Sequence, residues 1–161
     1  MGAEAFQSVV GWLDYPMFIV TTTDGRERAG CLVGFASQTS IDPPRFLACV
    51  SVRNHTHGVA QRASALAVHL VPEDGDEIAE LFGGVTEDEQ DKFTGTEWRE
   101  GPDGLPVLAA CPTWFAGRIL DVTPLGDHSG FLLEPFDGAD AGPHNWLPFS
   151  RAKSIDPGHE A

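Results

Sequence analysis

Short apolar runs separated by turn residues dominate the first half of the chain. The stretch 16–23 (PMFIVTTT) is rich in β-branched and aromatic residues, and an Asp-Gly pair at 24–25 follows before a second run begins near Arg28. An Asp-Gly pair between two such runs predicts a β-hairpin. Runs at 46–52 and 65–71 predict two further strands, apolar on both faces in places, as expected where a sheet closes on itself or is covered.

The second half of the chain continues this pattern with longer strands. Residues 113–124 and 128–136 predict two strands joined by a Leu-Gly-Asp turn, and 146–149 (WLPF) predicts a last edge strand. The segment 87–113 has mixed charge, three glycines and three prolines. Such a composition predicts a long excursion from the sheet rather than a linker between domains.

Helical periodicity is confined to short segments. Apolar residues within 73–84 follow the i, i+3, i+4 spacing of an amphipathic helix, with acidic residues in its first turn and glycine at its end. Two further helices are expected at 4–13 and 55–64, and the polar chain beyond Phe149 is expected to fray. Strands in hairpin order with few helices predict a mainly β fold, a barrel of moderate size with a few short peripheral helices.

Length and charge narrow the range of functions. A chain of 161 residues predicts one domain, with its core at about 14–150 and a frayed tail at 151–161. The net charge of −14 repels phosphate backbones, and the sequence has no basic stripe to offset it, so no nucleic-acid partner is expected. No apolar run reaches the ~18 residues of a membrane span, and Glu4 stands where a signal peptide carries a cation. A cytoplasmic protein is therefore expected.

The sequence lacks the common nucleotide-binding and hydrolase motifs. There is no G-x-G-x-x-G after a strand, no P-loop, no G-x-S-x-G and no H-E-x-x-H. Cys31, Cys49 and Cys111 are widely spaced in apolar surroundings, which predicts small buried hydrophobes. His55 and His57 have no carboxylate cluster nearby in sequence, so no metal site is expected.

The junction at 51–56 (SVRNHT) carries the clearest chemical signal, because a strand ends and a helix begins there. A helix N-terminus presents unpaired N–H groups, and Arg53 adds a forked cation, so the junction can receive a phosphate. The alternative is a plain helix cap, in which Asn54 or Thr56 accepts from first-turn amides and Arg53 is exposed. Spacing leaves both readings open.

Ordered motifs along the chain add a family resemblance. They run YPMFIVTTTDG, AGCLVGFASQTSIDPPRFLACVSVRNHT, LAVHLV, IAELFGG, DKFTGTEW, LPVLAACPTWFAGRI and GDH. In this order they resemble the flavin reductase family with the FMN-binding split-barrel fold, over about residues 14–136. The resemblance implies NAD(P)H-dependent transfer of hydride to FMN or FAD, with the nicotinamide as co-substrate. It also implies a homodimer and a possible partner monooxygenase that receives reduced flavin.

The same resemblance implies a set of site residues. The segment matching 31–37 lies along the isoalloxazine ring, and the residues after the double-proline strand reach the flavin phosphate. The implied flavin-binding residues are Leu32, Val33, Gly34, Phe35, Ser37, Ser51, Arg53, Asn54, His55, Thr56 and Phe93. Asp127-His128 matches the family's Gly-Asp-His, which implies that His128 controls nicotinamide access.

Several of these assignments have a structural alternative. Ser37 can satisfy turn backbone groups, His128 can point to solvent from a hairpin turn, and Phe93 can anchor a long loop. His69, within a strand, is expected to be a core histidine whose ring nitrogens are hydrogen-bonded.

Family members often carry Thr-Ala-Asn-Ser where this chain has Leu-Val-Gly-Phe at 32–35. The loss of three hydrogen-bonding side chains keeps open a flavin-binding protein without turnover and a non-redox small-molecule barrel.

Overall fold

The computed structural model describes residues 2–84, 91–142 and 144–155. Nine strands and four α-helices are assigned within these ranges. In chain order they are α1 (Gly2–Trp12), β1 (Phe18–Thr23), β2 (Arg28–Val33), β3 (Ala36–Ser40), β4 (Arg45–Ser51), α2 (His55–Gln61), β5 (Ala65–Leu70), α3 (Asp76–Gly84), β6 (Trp98–Glu100), β7 (Pro106–Leu108), β8 (Trp114–Pro124), β9 (His128–Ala139) and α4 (Phe149–Ala152).

The predicted hairpins form where the turn residues place them. Gly25 has a φ of 92° between β1 and β2, and Gly126 has a φ of 122° between β8 and β9. Both values lie in the left-handed region that glycine adopts without steric cost. Strands β1 and β2 keep a continuous register from Phe18 opposite Val33 to Thr23 opposite Arg28. Strands β8 and β9 pair from Pro124 opposite Ser129 onward, and their register shifts at two bulges.

The main sheet curls into a barrel. Its seven strands hydrogen-bond in the order β2-β1-β5-β8-β9-β4-β3, so β2 lies at one edge and β4 lies beside the other. Even so, Cys31 and Val33 of β2 share one core cluster with Ala48 and Val50 of β4. The two ends of the sheet therefore approach each other. The mainly β barrel with a few short peripheral helices, predicted from the sequence, is confirmed.

Helix α3 packs on the outside of this curl. Phe82 is buried, and a Cβ built on Gly30 of β2 would come within 2.7 Å of its ring. The Lys92 ammonium group donates to the carbonyl oxygens of Gly30 at 2.9 Å and of Phe82 at 3.2 Å. These contacts fix the end of α3 beside β2.

His69 is the satisfied core histidine that the sequence predicted. It is fully buried in β5, and its Nδ1–H donates to the Ile19 carbonyl at 3.0 Å. Its Nε2 accepts from the Leu108 amide at 3.1 Å, which fixes the tautomer. Burial lowers the pKa of His69 to about 4, so the imidazole is neutral at pH 7.

Three segments differ from their predictions. The sequence predicts no strand at 36–40, but these mostly exposed residues form β3 and pair with β4 along the barrel edge. The predicted edge strand 146–149 makes isolated bridges to Pro16 and Pro72. The tail was expected to fray from residue 151, but α4 extends to Ala152, which is buried against the core. Residues 156–161 of that tail lie outside the described residues.

The expected excursion at 87–113 contains the small sheet of β6 and β7 and two single-turn 3₁₀ segments. Its residues 87–90 lie outside the described residues. Leu105 and Val107 of this excursion are buried against the outer face of β5 and β8. None of the helices in the described ranges is long and apolar enough to cross a lipid bilayer.

Candidate functional site

A cavity of about 350 Å³ opens where the two ends of the curled sheet meet. The end of β2, the end of β4, the start of β9 and the end of α3 surround it, and α4 with the residues after it completes the wall. Its described lining residues are Met17, Cys31, Leu32, Val33, Gly34, Phe35, Cys49, Val50, Ser51, Asn54, Phe82, Gly83, His128, Phe149, Ala152, Lys153 and Ile155. The lining is largely apolar with a few polar groups, and its volume falls within the ~300–1,000 Å³ of small-molecule sites.

The cavity brings together seven of the predicted site residues, which are separated by up to about a hundred positions in sequence. They are Leu32, Val33, Gly34, Phe35, Ser51, Asn54 and His128. The register of β4 and β9 explains part of this convergence, because Ser51 lies directly opposite His128. The Val52 amide also donates to the Asp127 carbonyl at 2.9 Å, which ties the strand end to the hairpin turn.

His128 is held in a defined position at the cavity. Its Nδ1 lies 2.7 Å from Oδ1 of Asp127, and its ring centroid lies 5.0 Å from that of Phe35. Its side chain is 21% exposed, whereas Phe35 is 54% exposed. The alternative of a histidine pointing to solvent is therefore not what the structure shows. Phe35 and His128 together form a half-open aromatic edge.

The junction at 51–56 forms a helix cap, as in the second of the two interpretations of its sequence. Asn54 is the N-cap of α2, and its Oδ1 accepts from the Thr56 amide at 2.9 Å. Arg53 is exposed, and its amide donates to Oγ of Ser51 at 3.3 Å. Because Ser51 and Asn54 also line the cavity, capping and ligand contact are compatible at this junction.

Five predicted residues do not line this cavity. Thr56 is fully buried, and its Oγ1 has no hydrogen-bond partner among the described residues. His55 points instead to Glu27, with its Nε2 3.1 Å from the carboxylate. The others are Arg53, Ser37 and Phe93.

Ser37 and Phe93 match their structural alternatives. The Ser37 hydroxyl donates to the Gln38 carbonyl at 2.9 Å, which satisfies a backbone group of the exposed strand β3. Phe93 is buried edge-on between Phe82 and Trp98, with ring centroids 5.5 and 5.6 Å away. It anchors the excursion, because aromatic packing of this kind fixes a long segment to the core.

Other residues around the site carried no clear signal in the sequence. His57 lies in α2, and its Nε2 is 2.8 Å from Oγ of Ser129, the neighbour of His128. Burial lowers the pKa of His57, which favours its neutral form. This bond joins α2 to the start of β9 across 72 positions of sequence. Only knowledge of how α2 packs on β9 would have predicted this contact between His57 and Ser129.

Cys49 lies in the cavity wall as a neutral thiol, since burial raises its pKa above the ordinary value. Cys31 lines the same cavity. Within the described ranges no group of three or more His, Cys, Asp or Glu side chains is arranged to hold a metal ion. The described lining of the cavity is apolar and aromatic surface with a few polar side chains.

Comparison with known proteins assigns the family. The model for the flavin reductase like domain matches residues 10–147. The chain belongs to this family. Within it, the reductase component of 4-hydroxyphenylacetate 3-monooxygenase from Pseudomonas aeruginosa is 29% identical over 132 residues, which are 81% of this chain and 78% of that protein. The FMN reductase (NADH) RutF of Bradyrhizobium diazoefficiens is 29% identical over 126 residues, 78% of this chain and 69% of that relative.

Some relatives are much longer than this chain. The chain spans 35% of the probable flavin reductase of Rhizobium meliloti, with 27% identity over 68% of its own length. Among solved structures, the flavin reductase domain protein of Arthrobacter sp. FB24 superposes with a TM-score of 0.81 at 19% identity, covering 91% of this chain and 89% of that one. The likeness confirms the flavin reductase split-barrel fold that the resemblance implied.

Proposed function

We propose that this flavin reductase family member is an NAD(P)H:flavin oxidoreductase acting on FMN or FAD. One observation carries the proposal: the cavity collects Leu32–Phe35, Ser51, Asn54 and His128, all implied by the family resemblance to contact flavin or nicotinamide. Bound together, the two nucleotides would supply the chemistry of the reaction, which is transfer of hydride from nicotinamide C4 to flavin N5. This chemistry belongs to the cofactors, so the protein needs no acid–base pair of its own.

The residues of the cavity supply binding, orientation and exclusion of water. The wall at Leu32 and Val33 offers apolar surface to a ring system, and Gly34 allows the backbone to approach the ring closely. Phe35 and His128 form the aromatic edge on which a second ring can stack. Ser51 and Asn54 provide hydroxyl and amide groups for the flavin phosphate, with Arg53 nearby as a cation.

The apolar stretch at 32–35 also supports a second candidate, a flavin-binding protein without reductase turnover. Only backbone groups at these positions can hydrogen-bond the flavin ring, since none of the four side chains is polar. Fewer such bonds weaken the hold on the ring and the polarisation of N5. The first candidate predicts NADH consumption with added flavin, and the second predicts binding alone.

The test begins with the visible spectrum of the purified protein, followed by addition of FMN and NADH with absorbance recorded at 340 nm. Catalytic loss of NADH with bleaching of the flavin is the expected result. Flavin binding with no NADH oxidation would support the second candidate, a flavin-binding protein without reductase turnover, in place of the reductase. A protein that binds no flavin would refute both and leave a barrel for another small molecule.

Asn54→Asp sharpens this test at the proposed phosphate contact. Aspartate caps a helix as well as asparagine does, so α2 is expected to persist. The added negative charge repels phosphate, so affinity for FMN should fall while affinity for riboflavin, which has no phosphate, should hold. Asn145→Asp is the matched control, because Asn145 is exposed and is not among the described residues that line the cavity. An equal loss of affinity for FMN and for riboflavin would show that the flavin phosphate does not bind at Asn54.

We also propose a homodimer and delivery of reduced flavin to a monooxygenase. None of the residues of α1 is buried, and Phe6 and Val9 are exposed on it, with the exposed Leu13 directly after its end. An apolar face of this kind is suited to contact a second copy of the chain in a C2 dimer.

The name of the Pseudomonas aeruginosa relative, a monooxygenase reductase component, supports the delivery of reduced flavin to a monooxygenase. Light scattering tests the dimer, and the cytoplasmic address stays a prediction from the sequence.

A further inference from the structure

The segment that follows the family match forms one wall of the cavity. The match ends at residue 147, whereas Phe149, Ala152, Lys153 and Ile155 all line the cavity. Ile155 also approaches Gly83 at the end of α3, where its Cγ2 lies 3.6 Å from a Cβ built on that glycine. The cavity of this chain is therefore completed by residues outside the matched domain.

This wall is fixed by specific contacts to the chain before β1. The Asp14 carboxylate accepts from the Ser150 hydroxyl at 2.6 Å and from the Ser150 amide at 2.9 Å. The rings of Tyr15 and Phe149 stack at 4.7 Å with an angle of 14° between their planes. The Phe149 amide donates to the Tyr15 carbonyl at 2.8 Å. Contacts within the protein therefore hold helix α4 against the chain before β1.

Lys153 gives this wall of the cavity a positive charge. It is the only Lys, Arg, Asp or Glu among the described residues that line the cavity. Ser51 and Asn54, which also line the cavity, have side chains that carry no charge. In a protein with a net charge of −14, one ammonium group at an apolar cavity provides the positive charge that an anionic ligand needs.

We propose that Lys153 binds a phosphate group of a nucleotide in this cavity. The inference rests on the proposed function and adds a residue beyond the family match to it. Two sources share this chemistry: the phosphate of the flavin and the pyrophosphate of the nicotinamide dinucleotide. Lys153 also lies near Asp14. A lysine that serves only Asp14 is the competing explanation.

Lys153→Met tests the proposal, since it removes the charge and keeps the length of the side chain. Steady-state kinetics with NADH are measured with FMN and, separately, with riboflavin. Loss of one charge-assisted contact should raise the KM of the phosphate-bearing nucleotide about ten-fold with kcat nearly unchanged, and Lys153→Arg should recover most of the effect. A rise for FMN but not for riboflavin assigns the flavin phosphate. A rise for NADH with both flavins assigns the dinucleotide.

Arg26→Met serves as the matched control for the loss of one positive charge. Arg26 is exposed at the turn between β1 and β2 and is not among the described residues that line the cavity. Unchanged KM values in Lys153→Met, or an equal rise in Arg26→Met, would overturn the proposal. Thermal unfolding of each variant establishes that it is folded, and Lys153→Gln replaces the methionine variant if that one is not.

The two proposals can fail separately. A wild-type protein that oxidises no NADH refutes the reductase and leaves the Lys153 proposal open to a binding measurement. Quenching of tryptophan fluorescence by FMN, riboflavin and NADH then gives the dissociation constants directly. Weaker binding of a phosphate-bearing nucleotide to Lys153→Met than to Arg26→Met supports the phosphate contact. Equal binding to the two variants overturns it.

Discussion

The buried imidazole of His69 should make the stability of the barrel depend on pH between about 4 and 6.5. His69 is fully buried in β5, and burial lowers its pKa to about 4. In the unfolded chain a histidine has a pKa of about 6.5, so below that pH the unfolded state takes up a proton that the folded state refuses. The contribution to stability is therefore complete above pH 6.5 and is lost as the pH falls through 4.

The size of this effect follows from the same two pKa values. A folded pKa of about 4 for His69 and an unfolded pKa of about 6.5 give a loss of about 2 kcal/mol between pH 7 and pH 5. Carboxylates elsewhere also change the stability over this range, so the wild-type curve alone does not isolate His69. A variant without a titrating group at this position removes their contribution by subtraction.

His69→Gln provides that reference, because a glutamine oxygen can still accept from the Leu108 amide. Urea unfolding of both proteins gives their free energies of unfolding at pH 7 and pH 5. The wild-type value minus the variant value should fall by about 2 kcal/mol from pH 7 to pH 5. If that difference is the same at both values, His69 is not the neutral buried group that the structure describes.

Three further predictions concern the cavity, the helix beside it and the exposed helix α1. Phe35→Ala should raise the KM for NADH several-fold in steady-state assays, since it removes a ring on which the nicotinamide would stack, a contact of about 1 kcal/mol. An unchanged KM would exclude the aromatic edge formed with His128 from nicotinamide binding. Gly30→Ala should lower the free energy of unfolding in urea by about 1–3 kcal/mol, because the added Cβ would lie 2.7 Å from the Phe82 ring, and a neutral result would contradict that packing. Phe6→Glu should shift light scattering from dimer to monomer; a persisting dimer would place the interface elsewhere.

The sequence predicts the barrel well because its strands obey local rules. The hairpin turns at Gly25 and Gly126 require a positive φ, and both occur where apolar runs stop. Strand β3 cannot be predicted in this way, because its residues do not alternate between apolar and polar. It is a strand because it pairs with β4. Helix α4 cannot be predicted locally either, because the contacts that stabilise it are with Asp14 and Tyr15, far away in sequence.

The candidate site divides in the same way. The positions on strand ends, Leu32–Phe35 and Ser51, reach the cavity because the motif order fixes where those strands stop. The positions in loops and helices do not follow from motif order alone. Thr56 turns into the core and Phe93 packs under the excursion, since burial of apolar surface determines their orientation. Lys153 stands outside every motif, so only the three-dimensional fold brings it to the cavity.

The position of His57 explains how a site with so few polar side chains can still be ordered. His57 in α2 hydrogen-bonds Ser129, which follows His128 in β9. Asn54, the N-cap of α2, lines the cavity. The helix that carries the proposed phosphate contact is thereby tied to the strand that carries the proposed nicotinamide contact. Hydride transfer needs two rings held at a fixed separation and angle. A buried bond between the two elements preserves that geometry without adding a charged group to the cavity.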